Sequence, residues 1–272
     1  MEKIDTYLRW VGCKRLLLKD ISNHFPNSFN NYHEPFLGSG IVFFRLIERR
    51  KAFLSDLNEP LINCFIQLKH NVTKVVDELR KYNNTKEMFL NERTRIYKDD
   101  IKRAAQFIFL NRTSFNGIYR VNQNGVYNVP YGYRKNVDLI TSELLYKVHK
   151  KLQFADISFN DFGSTLSKIN PGDFVYLDPP YATAHQNNGF LEYNQKLFSW
   201  DDQIRLFKYV KALSDRNIYF ILSNAAHWKI KQLYAELCEP VIVSRYSKIG
   251  GFGAKRGKID EYIFTNIINA KN

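Results

Sequence analysis

The stretch from Asp173 to Tyr181 carries the groups with the clearest chemical potential, and it reads Asp-Phe-Val-Tyr-Leu-Asp-Pro-Pro-Tyr. An apolar run that ends in a carboxylate and two prolines predicts a buried strand followed by a rigid loop. Because Pro179 and Pro180 donate no amide proton, the Asp178 carboxylate and the Pro179 carbonyl form an acceptor cluster. With the ring of Tyr181 beside it, this cluster suits the exocyclic amine of a planar base. A strand that only ends in a polyproline turn is the alternative interpretation.

A second group of candidate residues surrounds a glycine turn near the start of the chain. Residues 32–40 read as a short strand, a turn with Gly38 and Gly40, and a helix start whose N–H groups are available to a ligand. Asp56 ends the next apolar run. A carboxylate at the end of the second strand is placed to accept hydrogen bonds from the hydroxyls of a ribose. The turn is shorter than Gly-x-Gly-x-x-Gly, so it favours S-adenosylmethionine over a nicotinamide dinucleotide. A turn that merely joins strand to helix is the alternative.

Residues 111–132 hold a further concentration of polar and aromatic side chains. Strand-like residues flank an Asn-Gly pair at 124–125, a strong hairpin signal, and a ribbon lined with Arg, Asn and Tyr fits the DNA major groove. We expect Arg120 to pair with a guanine, Asn116 to contact a base edge and Phe115 to fill the gap left by a displaced base. An ordinary surface hairpin is the alternative.

The charge balance favours a polyanionic partner, because 40 Lys and Arg residues outnumber 27 Asp and Glu residues, for a net charge of +13. A basic, glycine-rich loop at 248–258 predicts phosphate contact, with a solvated hairpin tip as the alternative. The remaining candidates for contact with double-stranded DNA are basic, polar or bulky residues of these two regions: Arg112, Ile118, Asn122, Tyr131, Lys255 and Arg256.

Cysteine and histidine usage predicts neither a disulfide frame nor a metal site. Cys13, Cys64 and Cys238 are an odd number at wide spacings, which indicates reduced thiols. The six histidines form no His-x-x-x-His pair, so we expect no metal. No apolar run is long enough to cross a bilayer, and the first residues do not resemble a signal peptide. We expect a cytoplasmic protein of a prokaryotic or phage-infected cell, monomeric, with an oligomer left open.

Alternating strand and helix patterns at both ends of the chain predict an α/β fold with a doubly wound, Rossmann-like sheet. Between them, residues 59–110 show helical spacing without a strand signal, which predicts an inserted helical subdomain that carries the hairpin. We therefore expect a cofactor-binding catalytic domain at 1–58 and 140–272 and a target-recognition domain at 59–139. A polar, aromatic segment at 185–200 is expected to close over substrate.

In chain order, residues 10–14, 36–40, 56, 111–132 and 178–181 resemble the Dam type of DNA adenine-N6 methyltransferases. In that family the recognition domain lies between the cofactor glycine turn and the Asp-Pro-Pro-Tyr loop. The resemblance runs over almost the whole chain and implies a methyltransferase fold with an inserted recognition domain. Cys13 departs from the family, which usually has a second glycine there, and this puts a positive φ at that position in doubt.

The resemblance also implies roles for individual residues. It implies contacts with S-adenosylmethionine from the motifs quoted above: Trp10, Lys14, Phe36, Gly38, Gly40, Asp56 and Asp178. Arg120 matches the position that reads the guanine of a GATC site. From their place after the third strand, Asp161 and Phe162 are predicted to contact the cofactor adenine, with an N-cap Asp and a core Phe as the alternative.

The implied reaction is direct methyl transfer to an adenine extruded from the duplex. The adenine stacks on Tyr181, and Asp178 with the Pro179 carbonyl polarises its amine for in-line attack on the sulfonium methyl. Four alternatives stay open: another DNA site, transfer to cytosine N4, transfer to RNA adenine, and a DNA-binding homologue without activity. Asp in place of Ser at the head of the loop favours adenine.

Overall fold

The computed structural model describes residues 4–122, 126–134, 141–181, 198–246 and 258–268. Within these ranges the helices are α1 (Leu18–Asn23), α2 (Ile41–Leu46), α3 (Glu59–His70), α4 (Val72–Leu79), α5 (Lys86–Thr94), α6 (Asp100–Thr113), α7 (Ser142–Leu152), α8 (Phe162–Thr165), α9 (Trp200–Asp215) and α10 (Trp228–Tyr234). The strands are β1 (Tyr32–Glu34), β2 (Ala52–Asp56), β3 (Ala155–Phe159), β4 (Phe174–Leu177), β5 (Tyr219–Ala225), β6 (Val241–Tyr246) and β7 (Lys258–Thr265). No helix in the described part of the chain is long and apolar enough to cross a membrane.

The strands form a seven-stranded sheet in the order β3-β2-β1-β4-β5-β7-β6. Strand β4 runs parallel to β1, with Phe174 opposite Tyr32, and also parallel to β5. Strand β7 is antiparallel to both of its neighbours. The order winds in opposite directions from β1 and from β4, and ligands of such sheets bind at the carboxyl ends of strands where this reversal occurs. The predicted α/β fold with a Rossmann-like sheet is confirmed.

Two compact units divide the chain. The first consists of Met1–Cys13, Leu37–Arg49 and Leu54–Phe159, and the second of Lys14–Phe36, Arg50–Phe53 and Asn160–Asn272. The helices predicted for 59–110 are present in the first unit, which also contains residues on both sides of that segment. A separate target-recognition domain at 59–139 therefore stays a prediction about function, with limits that differ from those of the compact unit.

The core of the second unit explains why its central strands read as unbroken apolar runs. Every residue of β4 is buried, as expected of a parallel strand that is covered on both faces. Helix α9 adds Leu206, Val210 and Leu213, which recur at helical spacing and are fully buried. Burial of each leucine stabilises the fold by about 1.5–3 kcal/mol. The helix begins at a capping box, in which the Ser199 hydroxyl accepts from the Asp202 amide and the Asp202 carboxylate accepts from the Ser199 amide.

In the first unit, the arms of the predicted hairpin are joined by isolated bridges. Ser114 pairs with Tyr131 and Val121 with Tyr127. The Asn122 amide donates to the Val126 carbonyl at 2.9 Å, and the Asn122 side-chain oxygen accepts from the Val126 amide at 3.0 Å. The Asn-Gly turn at 124–125 lies outside the described residues. Polar side chains thus replace part of the regular ladder between the two arms.

Candidate active site

The loop after β4 places the Asp178 carboxylate at the edge of the sheet, in the second compact unit. Asp178 Oδ1 lies 2.7 Å from the Lys14 ammonium, which is 3% exposed and begins a short 3₁₀ helix, Lys14–Leu17. The same ammonium stands 4.8 Å from the centroid of the Tyr181 ring. Lys14 therefore contacts two other residues predicted for the site, although it is far from both in sequence. Pro179 and Pro180 join Asp178 to Tyr181 within the loop.

Burial and nearby charges set the protonation of this loop. Burial raises the pKa of Asp178 to about 6, with Lys14 and Arg245 opposing the rise and Glu261 adding to it. Burial also raises the pKa of Tyr181 well above its usual value, and Asp178 and Glu261 raise it further. At neutral pH Asp178 is therefore mainly an acceptor carboxylate, and Tyr181 is a neutral phenol that donates a hydrogen bond.

The glycine turn forms a second cluster, in the first compact unit. Gly38 and Gly40 both adopt left-handed backbone conformations, with φ of 48° and 67°. The Gly38 amide donates to Asp56 Oδ2 at 2.9 Å, and the Asn58 amide donates to Asp56 Oδ1 at 2.9 Å. The indole of Trp10 lies so close to the turn that a Cβ on Gly38 would stand 3.0 Å from it. The fold thus brings together residues predicted to bind the cofactor.

The Asp56 cluster has the acceptor set that a ribose requires. Each carboxylate oxygen accepts at least one backbone N–H and keeps lone-pair capacity for a hydroxyl. Burial raises the pKa of Asp56, against the opposing amides of Gly38, Asn58 and Leu57. The residues present therefore fit the ribose end of an adenosine cofactor.

Cys13 does not need the left-handed conformation that a glycine there would allow. The positive φ of this segment falls on Gly12, at 82°, whereas among the described non-glycine residues it occurs at Asn116, Tyr133 and Asn217. The Ser39 hydroxyl donates to the Cys13 sulfur at 3.6 Å. The departure from the family pattern is thus accommodated by a local contact with the glycine turn.

Three other predicted cofactor residues lie together in the second unit. Phe36 packs on Phe162 with ring centroids 5.2 Å apart, and Phe162 is buried in the apolar core. Asp161 accepts from the Gly163 amide at the start of α8 and pairs with Arg205 at 2.7 Å. These are the N-cap and core roles named as the alternative, and a cofactor contact from Asp161 or Phe162 stays a prediction.

The predicted DNA-contact residues differ in exposure and in the hydrogen bonds that their side chains make within the protein. Phe115 is 50% exposed, and Asn116 beside it is exposed with a left-handed φ of 55°. Arg120 is exposed and its Nε donates to the Asn128 side chain at 2.8 Å, which fixes its direction. By contrast, the Tyr131 hydroxyl donates to the Asn84 side chain at 2.9 Å.

The remaining DNA-contact candidates are half-buried, exposed or outside the described residues. Arg112, in the last turn of α6, is half-buried, as is Ile118, whereas Asn122 is exposed. Lys255 and Arg256 lie outside the described residues, with the rest of the basic loop up to residue 257. Residues 185–197 of the segment predicted to close over substrate lie outside them too. The DNA-contact role of the whole set stays a prediction.

An aromatic column links the glycine turn to the hairpin within the first unit. Trp10 stacks on Tyr119 with centroids 6.0 Å apart and planes 18° apart. Tyr119 in turn contacts Phe107 at 5.0 Å and Tyr127 at 5.7 Å. We define these four rings as the aromatic column. Tyr119 directly precedes Arg120, so the column supports the arm that carries the predicted base reader.

Two residues of the site were missed from the sequence. Glu261 of β7 is buried, accepts from the Tyr181 hydroxyl at 2.6 Å and lies 3.5 Å from the Lys14 ammonium. Arg245 of β6 donates from Nε to Glu261 at 2.5 Å. The available signal was a carboxylate at a core-facing position of a strand that also carries the buried, apolar residues Ile263 and Phe264.

A Rossmann-like sheet with a carboxylate, two prolines and an aromatic ring after its fourth strand defines an α/β methyltransferase. The model of the D12 class N6 adenine-specific DNA methyltransferase family matches residues 10–248. The chain belongs to this family and is an adenine-specific DNA methyltransferase, which acts on DNA and requires a methyl donor.

Relatives match over most of their lengths. The chain is 35% identical to the type II methyltransferase M1.LlaDCHI of Lactococcus lactis, over 97% of this chain and 95% of that protein. It is 35% identical to the type II methyltransferase M.MjaIII of Methanocaldococcus jannaschii, over 82% and 85%. It is 31% identical to the DNA adenine methylase of Vibrio cholerae, over 97% and 96%.

Gly38→Ala is expected to lower the free energy of unfolding and to weaken binding of the methyl donor. A left-handed residue with a Cβ costs about 1–2 kcal/mol, and the new Cβ would also press on the Trp10 indole. Gly12→Ala is the matched control, because Gly12 has a positive φ but an added Cβ there would meet no atom within 4 Å. Urea denaturation and equilibrium dialysis of the donor measure the two effects. Equal donor binding by both variants would contradict a donor site at this turn.

Proposed function

We propose that the chain transfers a methyl group from S-adenosylmethionine to N6 of the adenine in GATC, in double-stranded DNA. The observation that supports this proposal most directly concerns the loop of residues 178–181, which we call the acceptor loop: the Lys14 ammonium beside it contacts both the Asp178 carboxylate and the Tyr181 ring. The names of the relatives support the same activity, since one is a DNA adenine methylase and two are type II methyltransferases.

We assign residues of the glycine turn and of the acceptor loop to contacts with the methyl donor. S-adenosylmethionine, when bound, supplies a methyl group on a positively charged sulfur. We assign the Asp56 carboxylate to the ribose hydroxyls, because its oxygens are already oriented by two backbone amides. The remaining proposed donor contacts follow from the family resemblance and from the predicted loop after the third strand: Trp10, Lys14, Phe36, Gly38, Gly40, Asp161, Phe162 and Asp178.

The acceptor loop holds and polarises the adenine amine. In the proposed site, the Asp178 carboxylate and the Pro179 carbonyl accept its two N–H protons, and the Tyr181 ring stacks on the base. These contacts orient the nitrogen lone pair without prior removal of a proton. Since the pKa of Asp178 is about 6, we expect kcat/KM to fall as the pH drops below that value, because the protonated acid loses the charge that strengthens these hydrogen bonds.

DNA recognition is assigned to the hairpin arm. Arg120 supports this assignment because it is exposed and its guanidinium is oriented by Asn128. Phe115 is an exposed ring of the kind that fills the space left by an extruded base. The assignment of a guanine within GATC rests on the family resemblance at Arg120.

A methyl-transfer assay with isotopically labelled S-adenosylmethionine tests the proposal. Four substrates are compared: a GATC duplex, a duplex with one base of the site changed, a duplex whose site contains cytosine but no adenine, and an RNA of the same sequence. We expect N6-methyladenine in the GATC duplex alone. Label in RNA or cytosine would refute the assignment, and equal label in the changed duplex would refute GATC.

Arg120→Ala is expected to cost about 1–3 kcal/mol of discrimination at one guanine, because a bidentate contact to its O6 and N7 is lost. The measurement is the ratio of kcat/KM for GATC and for duplexes changed at each position. Arg80→Ala serves as control, since Arg80 is an exposed arginine at the end of α4. Asn128→Ala should show a smaller change at the same guanine, because Arg120 loses its orienting partner. An unchanged site preference in Arg120→Ala would assign the reader to another residue.

A further inference from the structure

Glu261 occupies the centre of a buried charge network in the second compact unit. Its carboxylate is 1% exposed and accepts from the Tyr181 hydroxyl and Arg245 Nε at 2.6 and 2.5 Å. The Lys14 ammonium lies 3.5 Å from Glu261 and 2.7 Å from Asp178, so the two carboxylates share this cation. The network contains two cations, two carboxylates and one phenol.

A buried carboxylate at this position requires an explanation beyond core packing. An apolar side chain would fill the space without the desolvation cost of a charge, and β7 uses Ile263 and Phe264 in that way nearby. Both oxygens of Glu261 instead contact polar groups: the Tyr181 hydroxyl of the acceptor loop and the side chains of the cations Lys14 and Arg245. Hydrogen bonds to a charged acceptor are strong and directional, so they restrict the rotation of the side chains that donate them.

We propose that Glu261 is a positioning residue for methyl transfer: it holds the Tyr181 hydroxyl, and with it the ring on which the adenine stacks, and it shares Lys14 with Asp178. This inference rests on the function proposed above for Asp178 and Tyr181. Glu261 touches neither the base nor the methyl donor in this scheme. It acts by fixing the plane of the ring and the place of the ammonium.

The electrostatic consequence of this arrangement concerns Asp178. Burial would raise the pKa of Glu261, but Lys14, the Tyr181 hydroxyl and Arg245 hold it below its usual value, so Glu261 stays ionised and repels a charge on Asp178. The charged and titratable groups that face these two carboxylates come from β4, β6, the first 3₁₀ helix and the loop after β4: Lys14, Tyr176, Tyr181 and Arg245. Removal of the Glu261 charge should therefore make Asp178 easier to ionise.

The decisive experiment compares Glu261→Gln with Asp260→Asn in the full chain. Asp260 is the exposed neighbour of Glu261 on β7, so both variants remove one negative charge from the same strand at nearly constant size. For Glu261→Gln we expect kcat to fall about 10- to 100-fold, the loss expected for a hydrogen bond to a charged group, with little change in KM for DNA. We also expect the acid limb of kcat/KM for the methyl donor to move down by about one pH unit. Asp260→Asn should show neither change.

Tyr181→Phe tests the same bond from its other end. It keeps the stacking ring and removes the hydroxyl, so we expect a fall in kcat similar to that of Glu261→Gln and no further fall when the two changes are combined. Effects that multiply independently, or an unchanged kcat and acid limb in Glu261→Gln, would overturn the inference. If Glu261→Gln does not fold, normal kcat in Tyr181→Phe overturns it alone. Failure of the proposed function is distinguishable, since it appears as absence of N6-methyladenine with the wild-type chain, whereas normal turnover by Asp178→Ala excludes only Asp178 from the mechanism.

Discussion

Asp178→Ala is expected to lower kcat for methyl transfer by about 10³-fold, while DNA binding at the recognition site remains measurable. Asp178 is the charged acceptor of the loop after β4, and the proposed mechanism has no other carboxylate to polarise the adenine amine. The variant keeps the exposed hairpin residues that are assigned to base reading. Single-turnover methyl transfer measures the first effect, and fluorescence anisotropy of a labelled GATC duplex measures the second.

Asp178→Asn provides the matched control for that experiment. Asparagine keeps the size of the side chain and one acceptor oxygen but removes the charge, so we expect its kcat to lie between those of the wild type and Asp178→Ala. Its activity should also lose the acid limb near pH 6, because the group that titrates is gone. A normal rate in Asp178→Ala would exclude this residue from the mechanism.

Lys14→Met is expected to lower the free energy of unfolding by about 3 kcal/mol at pH 8, because it leaves two buried carboxylates with one fewer counter-charge. Without Lys14 the folded-state pKa of Asp178 rises further above its unfolded value of 3.8. A raised folded-state pKa contributes stability at low pH, and this contribution is lost as the pH rises through the folded-state pKa. The deficit of the variant should therefore be largest at alkaline pH, should shrink as the pH falls through the raised folded-state pKa of Asp178 in the variant, and should be smallest below pH 6, where Asp178 is protonated in the wild type as well.

Urea denaturation at about pH 8 and about pH 5, on either side of the Asp178 titration, measures this dependence. Lys19→Met is the control, since Lys19 is an exposed lysine of α1 a few residues away and its replacement removes the same charge. We expect that control to change stability by less than about 0.5 kcal/mol at either pH. A deficit of equal size at both pH values would show that the loss of stability does not come from the charge on Asp178.

The sequence predicted the parts of the site that depend on local patterns. Asp178 follows an apolar run that the structure buries completely as β4, and a central parallel strand leaves its next residue at the sheet edge. The glycine turn and Asp56 were predictable for a similar reason, because each closes a strand of a βαβ unit. In both cases the order of residues along the chain determines where the side chain lies.

Contacts between distant segments were not predictable in this way. Glu261 meets Tyr181 across 80 positions of sequence, and only the pairing of β5 with β7 brings its strand beside the acceptor loop. For Asp161 the sequence allowed two roles, and the N-cap contact with the Arg205 ion pair depends on how α9 packs near α8. The limits of the compact units likewise follow from packing of helices against the start of the chain, which no local composition change marks.

The aromatic column has a consequence for attempts to redesign sequence preference. Tyr119 stacks on Trp10, whose indole closes on Gly38, so the arm that precedes Arg120 shares its support with the glycine turn. In the proposed function the glycine turn binds the methyl donor and the hairpin arm reads DNA, so a change that shifts the Tyr119 ring would alter both affinities, and the coupling between the two binding events is reciprocal. On that proposal, a hairpin grafted from a relative with another target must bring a ring of matching size at Tyr119, or it will change the methyl-donor site together with the sequence specificity.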